Sequence, residues 1–162
     1  MYKVAIVCLS DKGYEGIRED KSTKVIEEIV TKWKYEVIEK ILLPDEIEMI
    51  EKKLIELCDS KKIDLIFTTG GTGFTSRDNT PEATKRVLTR EVPGIAEAIR
   101  AYSITITKRA MLSRGVSGIR GETLIINLPG SPKAVSEIVE YIIDTVGHGL
   151  DLIKKGSQEC GR

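Results

Sequence analysis

Three short apolar runs, each breaking off into a small polar loop, limit the architectures open to this sequence. They are Val4–Leu9, Asp64–Thr69 and Thr123–Leu128. Each is continuous rather than alternating, as a strand covered on both faces requires. A fourth segment, Tyr35–Leu43, is strand-like but carries Glu36, Glu39 and Lys40, which predicts a more exposed place in the sheet. Between the runs the apolar period changes to that of a helix. Val25, Ile26, Ile29, Val30 and Trp33 share one face, as do Ile47, Ile50, Leu54 and Leu57 opposite a polar face of Glu48, Glu51, Lys52 and Glu56. Ile95, Ala98, Ile99 and Tyr102 form a third stripe, and Val135, Ile138, Val139, Ile142 and Val146 a fourth. Strands alternating with helices predict an α/β fold, a three-layer α/β/α arrangement around a mostly parallel sheet. With no repeat, linker or shift of composition, residues 1–162 read as one domain with a short polar C-terminal tail from about 155.

Start signals locate the helices. One is expected after the Gly13–Gly16 loop, and Pro44-Asp45 opens another. Thr80-Pro81 offers a capping hydroxyl followed by proline, and Val92-Pro93 and Ser131-Pro132 begin two more. Residues 113–121 are Gly-rich and read as a hairpin or an irregular arm. His148, the single histidine, falls late in the last helix, where its charge would complement the helix C-terminus.

In open parallel sheets, ligands lie beyond the carboxyl ends of the strands. Here those ends are Ser10-Asp11, Pro44-Asp45, Thr69–Gly73 and Asn127–Ser131, and they are also the most polar and Gly-rich loops. The 25 basic and 25 acidic side chains cancel, so no field favours nucleic acid or an anionic membrane, and an anion must be captured locally. No run of apolar residues is long enough to span a bilayer, and the first run sits too close to Ser10 and Asp11 for a cleavable signal. A cytoplasmic protein is expected. Cys8, Cys58 and Cys160 are scattered without metal-ligand spacing and read as free thiols. One Gln and two Asn against abundant Lys, Glu and Ile is a thermophile-like balance.

Gly70, Gly71, Thr72 and Gly73 let the backbone turn sharply and approach a ligand closely. Successive N–H groups in such a turn cradle anions, although a plain tight turn has the same composition. A P-loop would need a Gly-Lys-Ser/Thr ending, and a dinucleotide fingerprint a glycine where Ser76 stands. Asp78 beside a phosphate cradle fits a magnesium ion bridging carboxylate and phosphate, or a turn residue ahead of the Thr80 helix. On spacing alone, Asp45 with Glu48 fits an N-cap and its reciprocal partner better than it fits catalysis. With His148 far from the strand ends, no Ser/His or Cys/His pair favours acyl transfer. A phosphate nucleophile suits the chain better, because it is largely ionised near neutrality without a general base.

Two stretches, LIFTTGGTGFTSRDNTPEAT over 65–84 and MLSRGVSGIRGETLIINLPGSP over 111–132, closely resemble the signatures of the molybdopterin adenylyltransferase (MogA/MoaB) family. Leu9-Ser10-Asp11 and Pro44-Asp45-Glu46 match two further family positions in order, so the resemblance covers nearly the whole chain. It implies the fold of a molybdenum cofactor biosynthesis domain, assembled as a homotrimer. It also implies adenylyl transfer from MgATP to the terminal phosphate of molybdopterin, with release of pyrophosphate. The family's two functional aspartates match Asp45 and Asp78, which are implied as catalytic, with magnesium held by one or both. The nucleotide and phosphate site implied is Gly70, Gly71, Thr72, Gly73, Asn127, Pro129, Gly130 and Ser131. Ser10, Ser103, Ser113 and Arg114 are implied on the pterin side, with Ser103 equally readable as a solvated helix residue. Lys133 and Arg77 are candidates for added positive charge near the phosphates, or for a solvated face. Asn79 departs from the Val common in relatives.

The chain ends shortly after its last helix, so a separate MoeA-like metal-insertion partner is expected to load molybdenum or tungsten. The alternative is a non-catalytic molybdopterin-binding protein of the MoaB type, which the retention of both Asp45 and Asp78 argues against. A scaffold role like that of gephyrin, or a nicotinamide-nucleotide reaction, fits the motifs less well.

Overall fold

A computed structural model describes residues 1–156. Cys160, and the tail apart from its first residues, lie outside the described residues. The chain runs β1 (Lys3–Leu9), a one-turn helix α1 (Asp11–Tyr14), α2 (Ser22–Lys32), β2 (Glu36–Leu43) and α3 (Ile47–Ile55). A π-helical turn at Glu56–Ser60 extends α3 and leads to β3 (Leu65–Thr69), then α4 (Thr80–Val87), the two-residue β4 (Arg90–Glu91) and α5 (Pro93–Ile104). A 3-10 turn at Lys108–Leu112, β5 (Ser117–Arg120), β6 (Thr123–Leu128) and α6 (Pro132–Lys155) complete it.

The six strands lie in the order β2-β1-β3-β6-β5-β4. β2, β1, β3 and β6 are mutually parallel, whereas β5 pairs antiparallel with β6 and β4 with β5. The Gly-rich segment 113–121 therefore supplies one arm of a hairpin. In β1, Val4 and Ile6 point into one core with Phe67 and Ile126, while Ala5 and Val7 point into the other with Ile66 and Ile125. α2, α5 and α6 cover the first face, and α3 and α4 the second. This is why the central strands are apolar throughout: both faces are removed from water, each fully buried Leu, Ile or Val contributing about 1.5–3 kcal/mol. β2, at the sheet edge, alternates in exposure as its charged residues predict.

Three local expectations are corrected. α3 begins at Ile47 with Glu46 at its N-cap and no side-chain cap bond, so Asp45 does not cap it. Asn79, not Thr80, stands at the N-cap of α4, and the Thr80 hydroxyl donates to Gly70 O at 2.9 Å instead. α6 continues to Lys155, which leaves His148 in the helix interior and gives the last turn to Lys154 and Lys155. At its other end, Ser131 does cap α6, its Oγ accepting from Ala134 N. The first turn after β1 also closes earlier than the glycines suggest, because Ser10 Oγ accepts from Gly13 N at 3.0 Å and nucleates α1. Among the described residues no helix is long and apolar enough to cross a membrane.

Candidate active site

From β1 the chain crosses to one side of the sheet, to β2, and then returns past β1 to β3 on the other side. This reversal separates the loops leaving β1 and β3, where open α/β sheets place their ligand crevice. A cleft of about 940 Å³ opens there. Its floor is made by Cys8–Ser10 and Thr69–Gly73, one wall by Ile17–Ser22, and another by Gly130–Pro132 at the start of α6. Asp78 stands at its rim.

The Thr69–Gly73 turn is held from beneath. Gly70 N donates to Leu128 O, Thr80 N to Gly71 O, and Thr80 Oγ1 to Gly70 O, while Thr69 Oγ1 donates to Pro129 O at 2.7 Å. Gly70 and Gly71 both have left-handed backbones, with φ of +93° and +67°. A Cβ on Gly70 would lie 2.4 Å from Leu9 O, and one on Gly71 would lie 2.3 Å from Thr80 Oγ1. Glycine is thus required for close packing as well as for backbone freedom. With the carbonyls of Gly70 and Gly71 tied down, the N–H groups of Gly71, Thr72 and Gly73 meet no acceptor among the described residues. Such consecutive free donors form an anion cradle, and the N-terminus of α6 faces the same cleft.

Two carboxylates flank this turn. Asp45 is buried, and its Oδ2 accepts from Asp11 N while Asp45 N donates back to Asp11 Oδ1. Its other oxygen, Oδ1, is buried without a partner beside Gly71. Burial pushes the Asp45 carboxyl above the usual carboxylate range, and the charges of Asp11 and Asp78 add to that effect against the Asp11 N–H bond and Arg77. Asp78 Oδ2 accepts from Thr75 N at 2.9 Å and lies 2.8 Å from where a Gly73 Cβ would stand. Asp11 is held below the usual range by the Arg77 guanidinium, which grips both its oxygens, and by Asp45 N–H. Arg77 also donates to Glu46 at 2.8 Å. An orphaned, desolvated carboxylate oxygen beside a turn of free N–H groups is a hard oxygen donor of the kind a divalent cation takes. Cys8 on the floor is no nucleophile: burial, reinforced by Asp20, pushes its thiol up to about 12.

A family profile described as "Probable molybdopterin binding domain" matches residues 5–148. The Helicobacter pylori (strain J99) protein named molybdopterin adenylyltransferase is 41% identical over 152 residues, covering 93% of this chain and 86% of its own. The Escherichia coli K12 protein of that name is 41% identical over 155 residues, covering 91% and 79%. The chain belongs to the molybdopterin adenylyltransferase family. Its fold matches the crystal structure of the molybdopterin biosynthesis enzyme MoaB from Thermus thermophilus with a TM-score of 0.91, at 45% identity over 98% of this chain and 100% of that one. The tungsten cofactor synthesizing protein MoaB from Pyrococcus furiosus superposes with a TM-score of 0.83, at 35% identity over 94% and 97%.

Of the positions that the molybdopterin adenylyltransferase resemblance singled out, the fold brings Ser10, Gly70, Gly71, Thr72, Gly73, Asp78, Gly130 and Ser131 to one cleft, with Asp45 directly behind Gly71. Others are placed elsewhere. Asn127 is buried: its Nδ2 donates to Thr68 Oγ1 and Thr84 Oγ1, and its Oδ1 accepts from Val116 N. Pro129 reaches the site through its carbonyl, which holds Thr69. Ser103 lies in α5 with its Oγ buried and unpartnered, and Ser113 Oγ accepts from Gly115 N. Arg114 turns its guanidinium to the back of the glycine turn. The wall segment Ile17–Ser22 went unremarked in the sequence because it has no periodicity, yet it carries Arg18 and Lys21 into the cleft. Asp20 Oδ1 accepts from Thr23 N, and Ser22 Oγ donates to Gly130 O at 2.8 Å, so this wall is tied to the base of α6.

Proposed function

We propose that this chain transfers the adenylyl group of MgATP to the terminal phosphate of molybdopterin, releasing pyrophosphate. The observation that carries the reading is the cradle of free N–H groups at Gly71–Gly73, flanked by Asp78 and by the partnerless Oδ1 of Asp45. An oxygen of the molybdopterin phosphate attacks the α-phosphorus of ATP, and the bond from that phosphorus to the bridging β-phosphate oxygen breaks. Magnesium bound with ATP supplies charge neutralisation on the phosphate oxygens, and Asp45 and Asp78 would be its protein ligands. The turn's N–H groups and the Ser131 end of α6 orient the phosphates. Arg18 and Lys21 on the opposite wall offset the charge of Glu19 and Asp20, which leaves the free N–H groups of the turn to capture the phosphates. No base is needed, because the attacking phosphate is ionised.

The setting we assign is cytoplasmic molybdenum or tungsten cofactor biosynthesis, with a separate MoeA-like protein receiving the product. We assign the chain to a homotrimer; an exposed apolar strip from the end of α5 to the 3-10 turn, where Ile104, Ile106, Met111 and Leu112 are 40–58% exposed, supplies a surface for contact between copies. The test is incubation with molybdopterin, ATP and magnesium, followed by mass analysis of the bound pterin and a pyrophosphate assay. A gain of one adenylyl group is expected, and Asp78→Asn should remove most turnover while still retaining pterin. Retention of unmodified pterin by folded wild type would establish the binding-only alternative.

A further inference from the structure

We infer that Arg114 is a positioning residue that clamps the Gly73–Asp78 loop and thereby sets the Asp78 carboxylate. This rests on the adenylyl-transfer reading for its catalytic consequence, but the clamp itself is geometric. The loop lies between the glycine turn that follows β3 and the start of α4, with Gly73 at one end and Asp78 at the other, and residues 74–77 between them are exposed. Its internal ties are local, Asp78 N to Thr75 O and Thr75 N to Asp78 Oδ2. Arg114 closes its base. Nε donates to Gly73 O at 2.7 Å and Nη2 to Asp78 O at 2.7 Å, so one planar group bridges both ends. Its third arm, Nη1, donates to Glu82 Oε1 in the first turn of α4, and the Arg114 main chain adds a bond from N to Thr72 O at 2.9 Å.

The position of Arg114 is itself fixed by the segment that follows it. Arg100 Nη1 donates to Gly115 O at 2.7 Å, and Val116 exchanges bonds with Asn127, its N donating to Asn127 Oδ1 and its O accepting from Asn127 N. The buried Asn127 on β6 is thus the anchor of a chain running through residues 114–116 to the loop that bears Asp78. Arg114 is absent from the cleft lining, and its three arms already have partners. Lysine cannot replace it, because a single ammonium does not reproduce a rigid fork reaching two carbonyls and a carboxylate in three directions.

The test compares wild type with Arg114→Lys, and with Glu82→Ala, which loosens the same clamp from its other side and guards against a folding failure of the first. Three measurements are made: hydrogen exchange of the peptide spanning 73–78, molybdopterin affinity, and steady-state turnover against magnesium concentration. The expected result is faster exchange confined to that loop, molybdopterin affinity within about threefold of wild type, and a kcat loss of about 100-fold from misplacement of the carboxylate. The magnesium needed for half-maximal rate should rise in both variants, and their combination should cost less than the two losses multiplied. Unchanged exchange in the loop would overturn the clamp. A tenfold or greater loss of molybdopterin affinity with kcat retained would make Arg114 a pterin ligand instead. If wild type itself shows no transfer, the adenylyl-transfer reading falls, while the exchange and affinity measurements still decide what Arg114 does.

Discussion

Replacing Asp45 by Asn should stabilise the protein while removing its activity. Asp45 is only 8% exposed, and the two oxygens of its carboxylate have unequal surroundings. Oδ2 accepts from Asp11 N at 3.1 Å, a bond that an amide oxygen keeps. Oδ1 is buried with no partner, near the further negative charges of Asp11 and Asp78. A buried polar group without a partner costs about 1–3 kcal/mol, and a charged one more. The amide nitrogen of Asn would still lack a partner, so only the excess due to charge is recovered, about 1 kcal/mol, after the favourable interaction with Arg77 is given up. In a chain of this size that corresponds to a Tm increase of roughly 2–4 °C. The pH dependence has a definite sign. The folded carboxyl titrates above its unfolded value of about 3.9, so the folded state binds the proton more tightly and wild type loses stability as pH rises through that window. The Tm gap between variant and wild type is therefore fully open at pH 7 and closes as pH falls toward about 4. Calorimetry of both proteins at the two pH values, without magnesium, measures it. A variant that melts at or below wild type at pH 7, or a gap that widens in acid, would refute the view of Asp45 as an uncompensated buried charge kept for function.

Other substitutions separate packing from chemistry. Gly70→Ala forces a Cβ to 2.4 Å from Leu9 O at a φ of +93°, and should cost about 3 kcal/mol in urea unfolding. Gly121→Ala, at a φ of +58° with nothing within 4 Å, should cost only about 1 kcal/mol, and equal losses would show that the close approach is not what matters. Arg77→Ala should move the Asp11 carboxyl up toward its ordinary value in a carbon-detected NMR titration. Stabilisation from Asp11 is present above about pH 3.9 and lost as pH falls through its depressed folded value, so an unchanged titration would remove Arg77 as the cause. Asn127→Leu strands Val116 N, Thr68 Oγ1 and Thr84 Oγ1 and should cost about 3 kcal/mol, with KM for ATP little changed in the folded fraction. A selective rise in that KM would return Asn127 to the nucleotide site.

Legibility in the sequence followed the range of the forces involved. The apolar runs Val4–Leu9, Asp64–Thr69 and Thr123–Leu128 and the four helical stripes were readable because burial on two faces or one imposes its own period on neighbouring residues, although β3 itself begins at Leu65 and Trp33, read into the first stripe, is exposed at the end of α2. The Gly70–Gly73 turn and the order of Asp11, Asp45 and Asp78 along the chain were equally visible, as was the Ser131-Pro132 helix start. Cap readings failed where a side chain with a good local partner found a better distant one. Thr80 reaches back to Gly70, and Asp45 pairs with Asp11, 34 residues away. Nothing in the neighbourhood of Asp45 announces that one of its oxygens is buried alone, since its carboxylate lies between the glycine turn and the Asp11 segment, both distant in sequence. Nor does residue type tell whether Arg114 faces a ligand or braces a loop 41 residues upstream, or that Asn127 turns inward. Local composition determined which elements form and where the glycine turn lies. Only the tertiary packing decided which polar groups are satisfied by the protein and which are left for a ligand, because hydrogen-bond partners and desolvation are set by segments that meet across the sheet.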